Sequence, residues 1–158
     1  MTTYDKFPTV TIQGYDDSAW QGWEAIISSL DAKTRQCSRT VLVIDCYPGV
    51  RMTELENALL PQLRPTLTIN VEQARQDERT IHEMLARNLT DDRVFGVLSC
   101  HQLGEFFDPT RLETLQAQVS QCSEGLIVIY GPGAALVHPG DVLVYADLPR
   151  WEIQQRMR

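Results

Sequence analysis

The feature that most constrains this chain is the run Val-Leu-Val-Ile at residues 41–44. Consecutive apolar residues, mostly β-branched and without polar alternation, need shelter on both faces; the inside of a helix-covered parallel sheet provides it. Similar short runs recur at residues 67–71, 94–98, 126–130 and 142–146, and residues 9–13 form a weaker β-like one. Between them, apolar residues return at three- and four-residue steps, the period of a helix with one buried face. Trp20, Trp23, Ile26, Ile27 and Leu30 make one such stripe; Leu112, Leu115 and Val119 make another. The order predicts an α/β fold: a three-layer parallel sheet of about five strands, helices on both faces, in one domain over residues 1–158.

Local signals refine the boundaries. Asp16 or Asp17 is placed to cap the first helix, Asp77 and Asp108-Pro109 to open later ones, and Thr53 with Glu56 spells a capping box. Pro61 is expected to end or kink the second helix, and Pro149 to open the last. The sequence stops at Arg158 inside that helix with no C-cap signal, as expected for a frayed terminus or for a domain cut from a longer protein.

Composition narrows the function. Apolar residues at 43% supply a core, and the net charge of −7 with scattered basic residues argues against a nucleic-acid partner. No apolar run is long enough for a membrane span, and the N-terminus lacks the layout of a signal peptide, so a cytoplasmic location is expected. The four cysteines, Cys37, Cys46, Cys100 and Cys122, show no paired spacing and read as reduced thiols.

In an open parallel sheet, ligands gather at the carboxyl ends of the strands. The candidate ligand-binding residues there are Asp45, Tyr47, Gly49, Arg51, Thr53, His101, Gly131 and Asp147. Residues 41–60 have the strand–loop–helix layout of a phosphate site. A working loop reads GxxxxGK[ST], because glycine N–H groups wrap the phosphates while lysine neutralises them. Here the framing glycines fall on Cys46 and Arg51 and the lysine on Met52; only Thr53 and the internal Gly49 remain. Nucleotide binding by the usual route is therefore not expected. His82 and His138 read as surface residues, and Asp91-Asp92 before Arg93 as a turn. Trp20 and Trp23 read as packing. Cys100 beside His101 is a nucleophile–base pair in name only, since neighbours on a strand point apart.

Two resemblances are visible. Residues 124–158 resemble the last part of P-loop nucleoside and uridine kinases: a strand ending in a glycine loop, a strand ending in Asp, and a basic helix after Pro. More specifically, YDKFP at residues 4–8, IDCYPGV at 44–50, LTDDRVFG at 89–96, IYGPGAALV at 129–137 and YADLPRWEIQ at 145–154 together resemble the N-terminal region of bacterial class I mannose-6-phosphate isomerase-type proteins. In that family a kinase-like domain precedes a zinc-bearing cupin.

The resemblance implies an accessory or regulatory domain of a protein that interconverts mannose 6-phosphate and fructose 6-phosphate. No catalytic residue transfers, because this chain has three widely spaced histidines and no clustered ligands. No cofactor is expected in this chain, with zinc belonging to the absent cupin. Expected partners are the missing C-terminal domain, a phosphorylated metabolite at the strand ends, and a second copy in a homodimer. The rival is a small-molecule kinase with an unconventional loop, using Asp45 or Asp147 as base or magnesium ligand and Arg51 as phosphate clamp. A stand-alone interaction module is the third reading.

Overall fold

A computed structural model describes residues 5, 8–15, 18–92 and 94–156. Four strands form its sheet: β1 (Arg39–Cys46), β2 (Leu67–Asn70), β3 (Gly125–Gly131) and β4 (Val142–Ala146). All pairings are parallel, in the order β2-β3-β1-β4. Because side chains alternate across a strand, β1 serves two cores at once. Val41 and Val43 join Ile69, Ile127 and Ile129 on one face, beneath Leu115 and Val119 of α5 (Pro109–Gln121). Leu42, Ile44 and Cys46 join Val128 and Tyr130 on the other, beneath Leu30 of α1 (Gly22–Thr34) and Leu55, Leu59 and Leu63. The three-layer α/β expectation is met.

Pro61 acts upstream of itself. The second helical stretch runs as α2 (Met52–Glu54), a π segment (Leu55–Leu59) and α3 (Leu60–Leu63). Proline has no N–H, and its ring crowds the carbonyl four residues earlier; widening the preceding turn relieves that contact. The Leu60 N–H accordingly reaches the Leu55 carbonyl, and the helix continues to Leu63 before Arg64 ends it. Asp77 accepts from the Thr80 N–H at the start of α4 (Glu78–Leu85), and Asp108 from the Arg111 N–H at the start of α5, both as predicted. The last helix, α6 (Arg150–Arg156), starts directly after Pro149.

Several expectations are corrected. Residues 94–98 are not a strand, which leaves four strands, not about five, among the described residues. The cause is local: the Asp92 carboxylate accepts from the Val94 N–H at 2.7 Å and the Phe95 N–H at 3.1 Å, donors that a strand would need. The Val97 N–H then bonds the Asn88 carbonyl, tying the segment to the turn that follows α4 instead of the sheet. Residues 9–13 are likewise outside any strand. Trp20 and Trp23 are exposed, not packed: Trp20 precedes α1, which begins at Gly22, and Trp23 lies in its first turn. Asp16 and Asp17 lie outside the described residues; Gln21 holds the N-cap position without a side-chain bond. No helix among the described residues is long and apolar enough to cross a membrane.

Candidate functional site

The carboxyl ends of β3, β1 and β4 place Gly131, Asp45 and Tyr145 side by side in register. From there the chain departs in opposite directions. After β1 it passes to the α2–α3 stretch on one face, and after β3 to a 3-10 turn (Ala134–Leu136) packed on the other, through the buried Ala134. The divergence opens a crevice, as expected at a topological switch point. A cavity of about 280 Å³ lies there, with Asp45, Cys46, Leu103, Pro132, Leu143 and Tyr145 in its wall.

Asp45 is already engaged. Its Oδ1 accepts from the Gly133 N–H at 3.0 Å and its Oδ2 from the Ala135 N–H at 3.2 Å. An inward array of loop N–H groups is what a phosphate would seek; here a carboxylate from the neighbouring strand holds two of them. The loop after β1 is closed as well. The Val50 N–H bonds the Tyr47 carbonyl at 3.0 Å, with Pro48 and Gly49 between them and Gly49 at φ 107°. Pro at the second position and a left-handed Gly at the third give a type II turn, a compact reversal that does not wrap a ligand.

The remaining expected residues are scattered. Tyr47 extends the β1–β4 pairing through its N–H to the Ala146 carbonyl. Arg51 faces Glu54 at 3.6 Å in an exposed ion pair. Gly49 accepts through its carbonyl from Arg156 of α6, which straps the terminal helix to the turn. Asp147 accepts from the adjacent Leu148 N–H. Thr53 lies within α2 and caps nothing: the capping box does not form, because Arg51 takes the N-cap position and Glu56 turns inward.

His101 is not at a strand end and does not line the crevice. It precedes a 3-10 turn (Leu103–Phe106), its Nδ1 lies 2.7 Å from Glu105 Oε2, and it borders a separate cavity of about 440 Å³. Cys100 lines that same cavity, so the strand argument for separating the two does not hold. Glu105 is held below the usual carboxylate range, first by the Gln102 N–H and then by His101.

Charge at the crevice opposes an anion. The Tyr145 hydroxyl is pushed up by partial desolvation and then by the Asp147 and Asp45 carboxylates. Among the described residues, no lysine or arginine lines the cavity. Burial pushes the Cys46 thiol up as well, which removes it as a nucleophile near neutral pH. Among the described residues, no three or more His, Cys, Asp or Glu side chains lie together as a metal site.

One polar contact had no signal in the sequence. Tyr130, buried on β3, donates its hydroxyl to Glu56 Oε1 at 2.8 Å across the sheet–helix interface, 74 residues away in sequence. Burial foremost, then the Glu56 bond and charge, push this phenol up to about 12. A folded-state value above the unfolded one means that the stabilisation is complete below pH ~10 and declines as pH rises from there to about 12. Denaturant titrations of wild type and Tyr130→Phe should therefore differ most below pH ~10 and converge towards pH ~12. A constant difference across that window would contradict the assignment.

Comparison with known proteins adds one relationship. A family described as a domain of unknown function, DUF8485, matches residues 22–158. No curated protein and no solved structure matches the chain. The match takes in all four strands and every helix described above, so the chain belongs to the DUF8485 family.

Proposed function

We propose that this chain is an accessory, regulatory domain on a degenerate P-loop kinase-like frame, which holds or modulates a catalytic partner and does not itself transfer phosphoryl groups. The observation that carries this reading is the Asp45 carboxylate seated on the Gly133 and Ala135 N–H groups. A phosphotransferase needs such donors free, a cation beside them, and a loop that encloses phosphate. Here the donors are occupied, the cavity wall has no cationic side chain among the described residues, and the loop is a Pro-Gly turn. The resemblance to mannose-6-phosphate isomerase-type proteins names the partner: a cupin domain that carries the isomerase chemistry. The apolar wall formed by Leu103, Leu143 and Tyr145, all exposed, suits contact with another protein surface better than capture of a sugar phosphate.

The chain, incubated with Mg–ATP and a panel of hexoses and nucleosides, should release ADP at the background rate. It should also leave mannose 6-phosphate unchanged. Mixed with the catalytic domain of such an isomerase, it should raise that domain's melting temperature. Turnover abolished by Asp45→Asn would establish the kinase reading instead, and a mixture that melts as the sum of its parts would remove the accessory role.

A further inference from the structure

The opposite end of the sheet carries a different chemistry. Beside the amino-terminal ends of the strands, α1 and the α2–α3 stretch enclose a groove of about 640 Å³. A second hollow of about 550 Å³ adjoins it, and Asp31, Arg35 and Arg64 line both. The groove has an apolar side, formed by Ile27 and Ala58 with Trp23 on the rim, and a polar side formed by Gln62, Arg35 and Arg64.

Three independent observations converge there. Arg64 sits at φ 51°, ψ 57°, the one non-glycine residue with positive φ among the described residues. A helix stop of this kind normally falls to glycine or asparagine, so an arginine is held there against its backbone preference. Among the described residues its guanidinium makes no hydrogen bond or ion pair, and its charge acts on Asp31. Among the described residues Arg35 bonds through Nε alone, 2.6 Å from Asp31 Oδ2, and neither terminal nitrogen has a partner. The Arg35 bond offsets the Asp31 charge and, with the Arg64 charge, holds that carboxyl below its ordinary range; among the described residues Glu24 is the other carboxylate in the wall, and it makes no ion pair. Finally, Trp23 is 41% exposed although it stands in an amphipathic helix, presenting an aromatic surface beside the two cations.

Forked guanidinium donors fit the oxygens of a phosphate, and an indole face fits a flat heteroaromatic ring. We propose that this groove binds a nucleoside monophosphate, with the base against Trp23 and the phosphate between Arg35 and Arg64. The site stands apart from the strand-end crevice and does not rest on the accessory reading given above.

The test uses the full chain with AMP and GMP, and with inorganic phosphate as the arm that lacks a base. Calorimetry should give saturable, sub-millimolar binding of at least one nucleotide, at least tenfold tighter than phosphate. Arg64→Gly suits the backbone and should leave the unfolding midpoint unchanged or raised while weakening binding at least tenfold. Trp23→Ala should remove the advantage of nucleotide over phosphate. Absence of saturable nucleotide binding, equal affinity for phosphate, or full affinity in Arg64→Gly would each overturn the proposal.

Discussion

Gly131→Ala should lower the unfolding free energy by about 3 kcal/mol, from strained backbone and overpacking together. The residue sits at φ 115°, and an added Cβ would lie 2.9 Å from Val71 Cγ1 and 3.3 Å from Asn70 Oδ1. Neither neighbour can yield cheaply. Val71 is fully buried, and Asn70 Oδ1 accepts from the Glu72 N–H to start the 3-10 turn Val71–Ala74. Gly49→Ala is the internal comparison: φ is 107°, but the nearest atom to its Cβ is Leu148 Cδ1 at 3.6 Å. It should lose only about 1 kcal/mol, from the backbone alone. Urea denaturation of the two variants separates the effects, and equal losses would show that the close approach to Val71 is not what requires glycine.

Asp45→Ala should be nearly as costly, at about 2–3 kcal/mol, because two backbone donors lose a charged acceptor together. Asp45→Asn keeps one acceptor oxygen and should lose about half as much. Amide exchange at Gly133 and Ala135 should accelerate in both variants relative to Leu42 and Val43 in the core. An Asp45→Ala protein that unfolds at the wild-type urea midpoint, with those amides still protected, would show that the carboxylate does not hold the loop. The measurement also bears on function, since the same carboxylate is what separates this crevice from a phosphate site.

Most of the scaffold could be read from the sequence because its rules are local. The run at residues 41–44 demanded burial on both sides and lies at the centre of β1, with the two cores meeting on its alternate faces. Asp77 and Asp108 cap their helices because a short side-chain acceptor three residues ahead of a free N–H is sufficient. The errors came where a local pattern was outbid from elsewhere. Residues 94–98 have strand composition, yet β propensity expresses fit to a sheet, and the Asp92 turn keeps them from reaching one. Glu56 matched a capping box, but a buried phenol 74 positions on takes it.

The candidate site was legible in place more than in role. The sequence drew attention to Asp45, Gly49 and Gly131 for their position after strands, and the structure does bring Asp45 and Gly131 together. Their work is internal: a carboxylate that holds a loop and a glycine that admits a valine. Contacts spanning 88 and 90 residues leave no trace in local spacing. The apolar wall was missed for the opposite reason. Leu143 and Tyr145 are ordinary strand residues, and only the bare face of β4 makes them distinctive. Arg64 carries no signal at all until its backbone angle is known.

The engagement of Asp45 has a consequence for any anion that drifts into the crevice. A group tethered to the same rigid sheet as its acceptor loop acts at an effective concentration on the order of 1 M or more, whereas a free metabolite arrives at roughly millimolar. Dissolved phosphate therefore meets an incumbent about a thousandfold more concentrated than itself, and raising its own concentration within the cellular range does little to displace it. Such a loop is buffered against the phosphate pool: its geometry stays the same whether phosphorylated compounds are scarce or abundant, and only a change in the chain itself can vacate it.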